Sequence, residues 1–398
     1  MPRIILITGS TAKTTTLHLV ESQLGHLAKY SHKANSSYGI PFDILNLHRT
    51  TLKPFEWIGI FFAAPFAVFK TLPTEKIYIV EADCDRPFEG NFLGDFLKPE
   101  VTIWLSSART HSVNFEKLVG CKFGNVEEAI AFEYGNYLEN TSKLAIINAD
   151  NPLITGQIKR TRALVKTISV ENLKYAISDD GTEFHIDNKK ISLPYLLPEE
   201  TFYSIAGVIE LLKYLQLSFD STFKNFTLPP GRSSVFAGIK NTLIVDSSYN
   251  ADLSSMNAIL SMFDKLNGKK WVVLSDMIEQ GRIEKEEHEK LADIVAAMKL
   301  DKIILTGPRM GKYMLPRLQG SVISGQESGR KEAIVYFDKP RQVLDYLEEN
   351  IAGGELILFK GARFLEGVIE HLLENKNDAE KLCRREKVWV ERRKKWKL

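Results

Sequence analysis

The chain has 398 residues, 44% of them hydrophobic and 26% charged, which is material for a soluble globular protein of two or three domains. Its 52 basic and 50 acidic residues leave a net charge of +2, so no global field points to nucleic acid as a partner. Three cysteines, Cys84, Cys121 and Cys383, lack metal-ligand spacing and suit a reducing compartment rather than a disulfide framework. The N-terminus begins at once with a strand, so no signal peptide is read and a cytoplasmic location is expected.

In chain order, the apolar run Ile4 to Ile7 predicts a buried strand. It enters a small-residue turn, and Leu17, Val20 and Leu24 then recur at helical spacing. Strand, tight loop and helix N-terminus is a geometry that holds a phosphate on backbone N–H groups and the positive end of the helix dipole. The nucleotide-binding candidates are Ser10, Thr11, Ala12, Lys13, Thr14 and Thr15. Lys13 adds a mobile positive charge, and the Thr14 or Thr15 hydroxyl could hold Mg²⁺. The Walker pattern G-x-x-x-x-G-K-[ST] is not met as written, because Ala12 stands where the last glycine should be.

A loop at Asn35-Ser-Ser-Tyr-Gly-Ile-Pro is followed by Trp57 to Phe69, 13 residues without a charge. A spanning helix needs roughly 20 residues, so a buried or interfacial helix is expected, with a membrane-surface foot as the alternative. A strand over Lys76–Ala82 ends on Glu81, Asp83 and Asp85, and a strand over Val101–Leu105 runs into a polar stretch ending at His111. Helical pattern covers Val126–Leu138. A strand over Leu144–Ile147 ends at Asn148-Ala-Asp-Asn-Pro. Apolar strands with polar C-terminal ends predict a parallel α/β sheet with ligands at its carboxyl edge. Between Leu164 and Pro194 an antiparallel patch is expected, then a helix near Tyr203–Leu215 and a linker at Leu228-Pro-Pro-Gly-Arg-Ser-Ser. Strand-like runs at Thr242–Val245, Trp271–Leu274, Lys302–Leu305, Ile334–Phe337 and Glu355–Phe359 predict a second, Rossmann-like domain. The tail from Lys376 to Leu398 holds ten basic and four acidic residues. It is read as a helix that packs Trp389 and Trp396 on the domain rather than as an RNA-binding arm.

Mg²⁺ needs hard oxygen ligands near the phosphates, and Glu81, at the end of an apolar strand, is where such a carboxylate would sit. His111 is a second candidate ligand. Arg232 could neutralise charge during phosphoryl transfer. Asp246 suits ribose hydroxyls, and the amide in Ser247-Ser-Tyr-Asn250 suits adenine.

The order of these segments resembles the Mur ligases, ATP-dependent amide ligases of peptidoglycan-precursor synthesis, and among them the MurF branch. Gly9-Ser-Thr-Ala-Lys-Thr-Thr is similar to the family's G-[ST]-x-G-K-T-T, and Asn35-Ser-Ser-Tyr-Gly-Ile-Pro to its N-N-x-x-G-[VI]-P. Val80-Glu-Ala-Asp-Cys-Asp-Arg-Pro resembles the segment whose glutamate binds Mg²⁺, and Thr110-His111 the one whose histidine binds a second Mg²⁺. Asn148-Ala-Asp-Asn-Pro resembles the adenine segment. Asp246-Ser-Ser-Tyr-Asn-Ala-Asp-Leu-Ser-Ser-Met is similar to D-x-S-Y-N-A-N-P-x-S-M, Leu274-Ser-Asp-Met-Ile-Glu-Gln-Gly with His288 to L-G-D-M-x-E-L-G…H, and Phe359-Lys-Gly-Ala-Arg to V-K-G-S-R.

The resemblance implies that ATP phosphorylates a substrate carboxylate and that an amine attacks the acyl phosphate, giving an amide, ADP and phosphate. Lys13, His111 and Arg232 are the implied catalytic residues. Ser10 to Thr15, Asn148, Arg232, Asp246, Tyr249 and Asn250 are the implied nucleotide contacts, and Thr14, Glu81 and His111 the implied Mg²⁺ ligands. Three departures stand out. The family's N-terminal UDP-binding domain has no counterpart here, Ala12 replaces a glycine, and the stretch Ala129–Gly135 has no lysine to be carbamylated. Glu133 is expected to supply that carboxylate as a metal ligand.

The expected fold is α/β: a P-loop central domain with a mostly parallel sheet (1–232) and a Rossmann-like C-terminal domain (236–398) with a basic terminal helix. The expected function is a carboxylate–amine ligase using ATP and Mg²⁺ on small-molecule or peptide substrates. The alternatives are a degenerate ATP-binding scaffold subunit and a folylpolyglutamate-synthetase-like ligase.

Overall fold

The computed structural model describes residues 2–32, 34–49, 54–69, 75–324, 333–362 and 364–398. The chain divides into two compact units. The first comprises Met1–Tyr175, Phe184–Leu193 and Glu200–Thr227; the second comprises Ala176–Glu183, Pro194–Glu199 and Leu228–Leu398. Arg232 therefore belongs to the second unit, whereas the sequence reading placed it at the end of the first.

The first unit begins with β1 (Arg3–Thr8), α1 (Lys13–Leu24), β2 (Ala28–Tyr30), α2 (Gly39–Ile44), α3 (Glu56–Ala67), β3 (Ile77–Ala82) and α4 (Glu89–Leu97). It continues through β4 (Val101–Trp104), α5 (Val126–Glu139), β5 (Leu144–Asn148), α6 (Pro152–Thr155) and β6 (Leu164–Ile168). The six strands form one sheet in the order β2-β3-β1-β4-β5-β6, and every pairing is parallel. Fully buried side chains such as Leu6, Val80, Trp104, Tyr134 and Tyr137 fill the core between sheet and helices, as expected when both faces of a parallel sheet are covered. In register, Thr8 lies opposite Ala82 on one side and Trp104 on the other. The loops leaving β1, β3 and β4 therefore emerge side by side at the carboxyl edge, the general ligand position of such sheets.

The antiparallel patch starts later than the sequence suggested. Leu164–Ile168 extends the first sheet by pairing parallel to β5. Its solvent-facing residues at the sheet edge read as an isolated short strand, because an edge strand lacks the continuous apolar run of a central one. The separate three-stranded sheet is β7 (Lys174–Ser178), β8 (Gly181–Ile186) and β9 (Lys189–Leu193), in that order. Its two-residue connections permit only antiparallel neighbours. Helix α7 (Thr201–Leu215) follows.

The second unit continues with β10 (Ser234–Gly238), β11 (Thr242–Ser247), α8 (Leu253–Asp264), β12 (Lys269–Ser275), α9 (Glu284–Ala297), β13 (Lys302–Thr306) and α10 (Leu315–Ser324). It ends with β14 (Ile334–Phe337), α11 (Pro340–Asn350), β15 (Glu355–Lys360), α12 (Leu365–Leu372) and α13 (Lys387–Lys394). The sheet order is β10-β11-β15-β12-β13-β14. Only β10 runs antiparallel to its neighbour among these pairings. Alternate residues of β12 feed two cores, Val272 and Leu274 one, Trp271 and Val273 the other, because successive side chains in a strand point to opposite faces. In the basic tail, Trp389 and Trp396 pack on Phe364 with ring centroids 6.3 and 6.5 Å away. The Arg393 guanidinium is buried against Glu366 at 3.4 Å.

Candidate active site

The turn after β1 is shaped by its neighbours. Gly9 has φ 137°, and a Cβ there would lie 2.7 Å from the Ser106 hydroxyl and 2.8 Å from its carbonyl, so only glycine fits this approach. The Ser10 N–H donates to the Ser106 carbonyl, and the Thr11 N–H to the Ser106 hydroxyl. The Ser10 hydroxyl accepts from the Ala108 N–H and donates to the Ala108 carbonyl. These contacts brace the loop on the segment after β4. Ala12 caps α1 with φ 67° and ψ −6°, the left-handed conformation that the family's glycine would adopt without strain. Thr14 and Thr15 lie half-buried on the first turn, where N–H groups lack intrahelical partners.

Lys13 is buried, and its ammonium donates to the Gly9 carbonyl at 2.6 Å and lies 2.8 Å from Asp83 Oδ2. The other Asp83 oxygen accepts from the Tyr134 hydroxyl at 2.7 Å. Burial works to raise the Asp83 pKa, but Lys13, His111 and the Tyr134 hydroxyl outweigh it and hold the carboxyl below its ordinary value. On the other side of the lysine, the Thr14 hydroxyl donates to Glu81 Oε1 at 3.2 Å. A hydroxyl and a carboxylate at that spacing beside a phosphate loop match the hard-oxygen chemistry Mg²⁺ requires.

Asp83, Asp85 and His111 form a cluster in which one ligand atom from each lies within 4.8 Å of the others. His111 Nε2 is 3.3 Å from Asp85 Oδ1, and burial pushes the Asp85 carboxyl above its ordinary value, with His111 opposing. The sequence pointed to His111 here but gave Asp83 and Asp85 no role beyond an acidic strand end. The signal was their spacing, since i and i+2 past a parallel strand both reach the carboxyl edge.

The sequence assigned Glu133 to the second metal, in place of a carbamylated lysine. Burial raises the pKa of the Glu133 carboxylate, on α5, and the backbone of Phe88, Gly90 and Asn91 at the start of α4 is a pull that lowers it. The carboxylate accepts from the Asn136 amide at 3.4 Å. Glu133 lies outside the Asp83–Asp85–His111 group. Asn148, read as an adenine contact, closes β5. Its amide donates to the Leu105 carbonyl at 2.9 Å and its oxygen accepts from the Asp150 N–H, which ties β5 to the strand end that carries Ser106.

In the second unit the residues read from the sequence do come together. Arg232 stacks over the Tyr249 ring, 4.4 Å from its centroid. Arg384, which the sequence did not single out, donates to the Tyr249 carbonyl at 2.6 Å. Lys360 at the end of β15 donates to the Asn250 carbonyl at 2.7 Å. Burial lowers the Lys360 pKa to about 8, against the pull of Asp252 and Asp246. Asp246 is fully buried with its carboxyl pushed up by burial. One oxygen accepts from the Ser248 N–H, and the other, Oδ2, has no hydrogen-bond partner among the described residues. Asp252 closes the segment as the N-cap of α8 in a reciprocal pair with Ser255. Arg363, the last residue of the Phe359-Lys-Gly-Ala-Arg segment, lies outside the described residues.

Comparison with known proteins shows similarity to the Mur ligases. The family profile described as Mur ligase, glutamate ligase domain, matches residues 231–363. The UDP-N-acetylmuramoyl-tripeptide–D-alanyl-D-alanine ligase of Bacillus subtilis is 22% identical over 389 residues, covering 94% of this chain and 76% of that protein. MurF from Acinetobacter baumannii has 17% identity and a TM-score of 0.72, covering 94% of this chain and 77% of that one. MurF from Thermotoga maritima, solved in complex with ADP, has 21% identity and a TM-score of 0.71, covering 96% and 81%. On the ordered motifs, the profile match over residues 231–363 and relatives that the chain matches over about three quarters of their length, the chain is similar to the Mur ligases and is MurF-like.

Proposed function

We propose that this chain is an ATP-dependent amide ligase of cell-wall peptide synthesis that activates a substrate carboxylate as an acyl phosphate for attack by an amine. The observation that carries the reading is Lys13. It sits in a braced phosphate loop between an oxygen pair, Thr14 and Glu81, and a carboxylate–imidazole cluster, Asp83, Asp85 and His111. Transfer of the γ-phosphoryl group to a carboxylate brings several negative charges together, and fixed cations must offset that repulsion. Lys13 supplies one from the loop. Arg232 of the second unit is proposed as another, with Asp246, Tyr249 and Asn250 as further nucleotide contacts.

Thr14 and Glu81 would hold one Mg²⁺, and Asp85, His111 and Asp83 a second. Bound there, the ions would neutralise charge on phosphate and carboxylate oxygens. The carboxylate oxygen forms the new bond to phosphorus as ADP leaves. The amine nitrogen then bonds to the acyl carbon, phosphate departs with the former carboxylate oxygen, and the nitrogen loses a proton. The reaction is assigned to the cytoplasm, where ATP is available and Cys84, Cys121 and Cys383 remain free thiols.

A phosphate-release screen tests the reading. Purified protein with ATP and Mg²⁺ is offered muramyl peptides, free peptides and amino acids as carboxylates, with D-alanyl-D-alanine and other amines as acceptors. The pair named for the Bacillus subtilis relative comes first. ADP and phosphate should form only when both substrates are present. Protein that binds ATP yet forms no ADP with any pair is a scaffold and not a ligase.

A further inference from the structure

Helix α3 presents an apolar face to solvent that the ligase reading does not use. Its inward side is anchored: Trp57 meets Phe42 and Tyr38 with ring centroids 5.7 and 6.3 Å apart, and Ile60 and Ala67 are buried. Trp57, Ile60 and Ala67 share one helical face. The opposite stripe, Phe55, Ile58, Phe62, Phe66 and Phe69, is 54% to 89% exposed. The sequence allowed a buried helix here, and the structure excludes it for this face. Every exposed residue from 54 to 69 is apolar or glycine. Such a patch on a soluble surface marks an interaction site.

We infer that this face docks the protein on the interface of an anionic lipid bilayer. The first ground is chemical. A protein partner typically meets a patch with about one hydrogen bond per 100–200 Å², and this stripe offers no side-chain donor or acceptor. Hydrocarbon asks for none. The second ground is charge. The helix carries a single carboxylate, Glu56, and Arg49 lies 3.9 Å from it while stacking over Trp57 at 4.9 Å. The sequence immediately outside adds Lys53 and Lys70, with no further acid before Glu75. In sequence, Arg49, Lys53 and Lys70 outnumber the one carboxylate Glu56 over this segment, a balance that complements anionic headgroups. Length limits the mode of contact. Twelve residues rise about 18 Å against a hydrocarbon core of about 30 Å, and no described helix is long and apolar enough to cross a membrane. The helix therefore lies in the interface plane.

The test is co-sedimentation of the full chain, without ATP, with phosphatidylglycerol–phosphatidylcholine vesicles and with phosphatidylcholine vesicles alone. Binding should favour the anionic vesicles, and Phe62→Ser/Phe66→Ser should lower the partition by about tenfold or more. The unfolding midpoint and ATP binding should not change, since both rings are exposed. Protein that stays in the supernatant, equal binding to both vesicle types, or a double variant that still binds would overturn the inference. So would a dimer that sedimentation velocity detects and the double variant breaks, with no vesicle binding, because a second copy would then cover the face. None of these outcomes depends on ligase turnover.

Discussion

Ala12→Gly should stabilise the first unit, and the size of the gain follows from one dihedral. Ala12 holds φ 67° at the N-cap of α1, a conformation that costs an L-residue about 1–2 kcal/mol. Glycine adopts it without that strain and is a better N-cap than alanine. It also frees the unfolded chain, which returns about 0.4–1 kcal/mol of the gain. The net is a stabilisation of about 0.5–1 kcal/mol. For a unit of about two hundred residues this corresponds to roughly 1–4 °C in Tm. Differential scanning calorimetry of wild type and variant, resolved into the transition that loses the first unit's signal, measures it. A fall in Tm would mean that the alanine methyl contributes packing greater than the strain. The identity of the residue at this position would then reflect the loop's contacts and not its backbone.

Other residues give independent tests. Glu133→Ala removes a buried carboxylate that faces the backbone of Phe88, Gly90 and Asn91 and the Asn136 amide. It should destabilise the first unit by about 1–3 kcal/mol and leave the Mg²⁺ dependence of ADP formation unaltered; a tenfold higher Mg²⁺ requirement would return Glu133 to the metal. Asp85→Asn should raise the Mg²⁺ concentration for half-maximal ADP formation about tenfold or more, and an unchanged requirement would remove Asp85 from metal binding. Lys360, facing Asp252, Asp246 and Arg232, has a pKa lowered to about 8 from an ordinary 10.5. Between these values the unfolded chain binds a proton there that the folded chain does not, so this residue's contribution to stability rises with pH across that window. Chemical denaturation of wild type and Lys360→Met at pH 7 and pH 10 should show the wild type gaining relative to the variant as pH rises. A constant difference would mean that the buried ammonium titrates normally.

Much of the site was legible because its parts are local. The apolar run of β1, the small-residue turn and the helical spacing after it specify a strand–loop–helix without help from the rest of the chain. Asp246 to Asp252 reads as strand end, loop and helix cap for the same reason. What sequence could not show was which distant groups meet. Asp83 lies 70 positions from Lys13, and only the register Thr8 opposite Ala82 brings their side chains together. Helical spacing is silent about α4, so it could not show that Glu133 is buried against that helix's start. The run from Trp57 to Phe69 is apolar on every side, so its periodicity could not tell the anchored face from the open one. The three-residue β2 and the edge strand β6 are too short or too polar to announce themselves.

The Asp83 carboxylate serves two neighbours at once, and under the proposed function this would make phosphate and cation binding partners in a single equilibrium. One of its oxygens is 2.8 Å from the Lys13 ammonium, while the same side chain belongs to the cluster with Asp85 and His111. A phosphate that draws Lys13 toward itself leaves Asp83 with uncompensated charge and so increases its appetite for a cation. A cation that takes up Asp83 releases Lys13 to the phosphate. By linkage the enhancement must be equal in both directions. Titrating nucleotide at two Mg²⁺ concentrations, and Mg²⁺ at two nucleotide concentrations, should return the same coupling factor, and Asp83→Asn should shrink it in both titrations together.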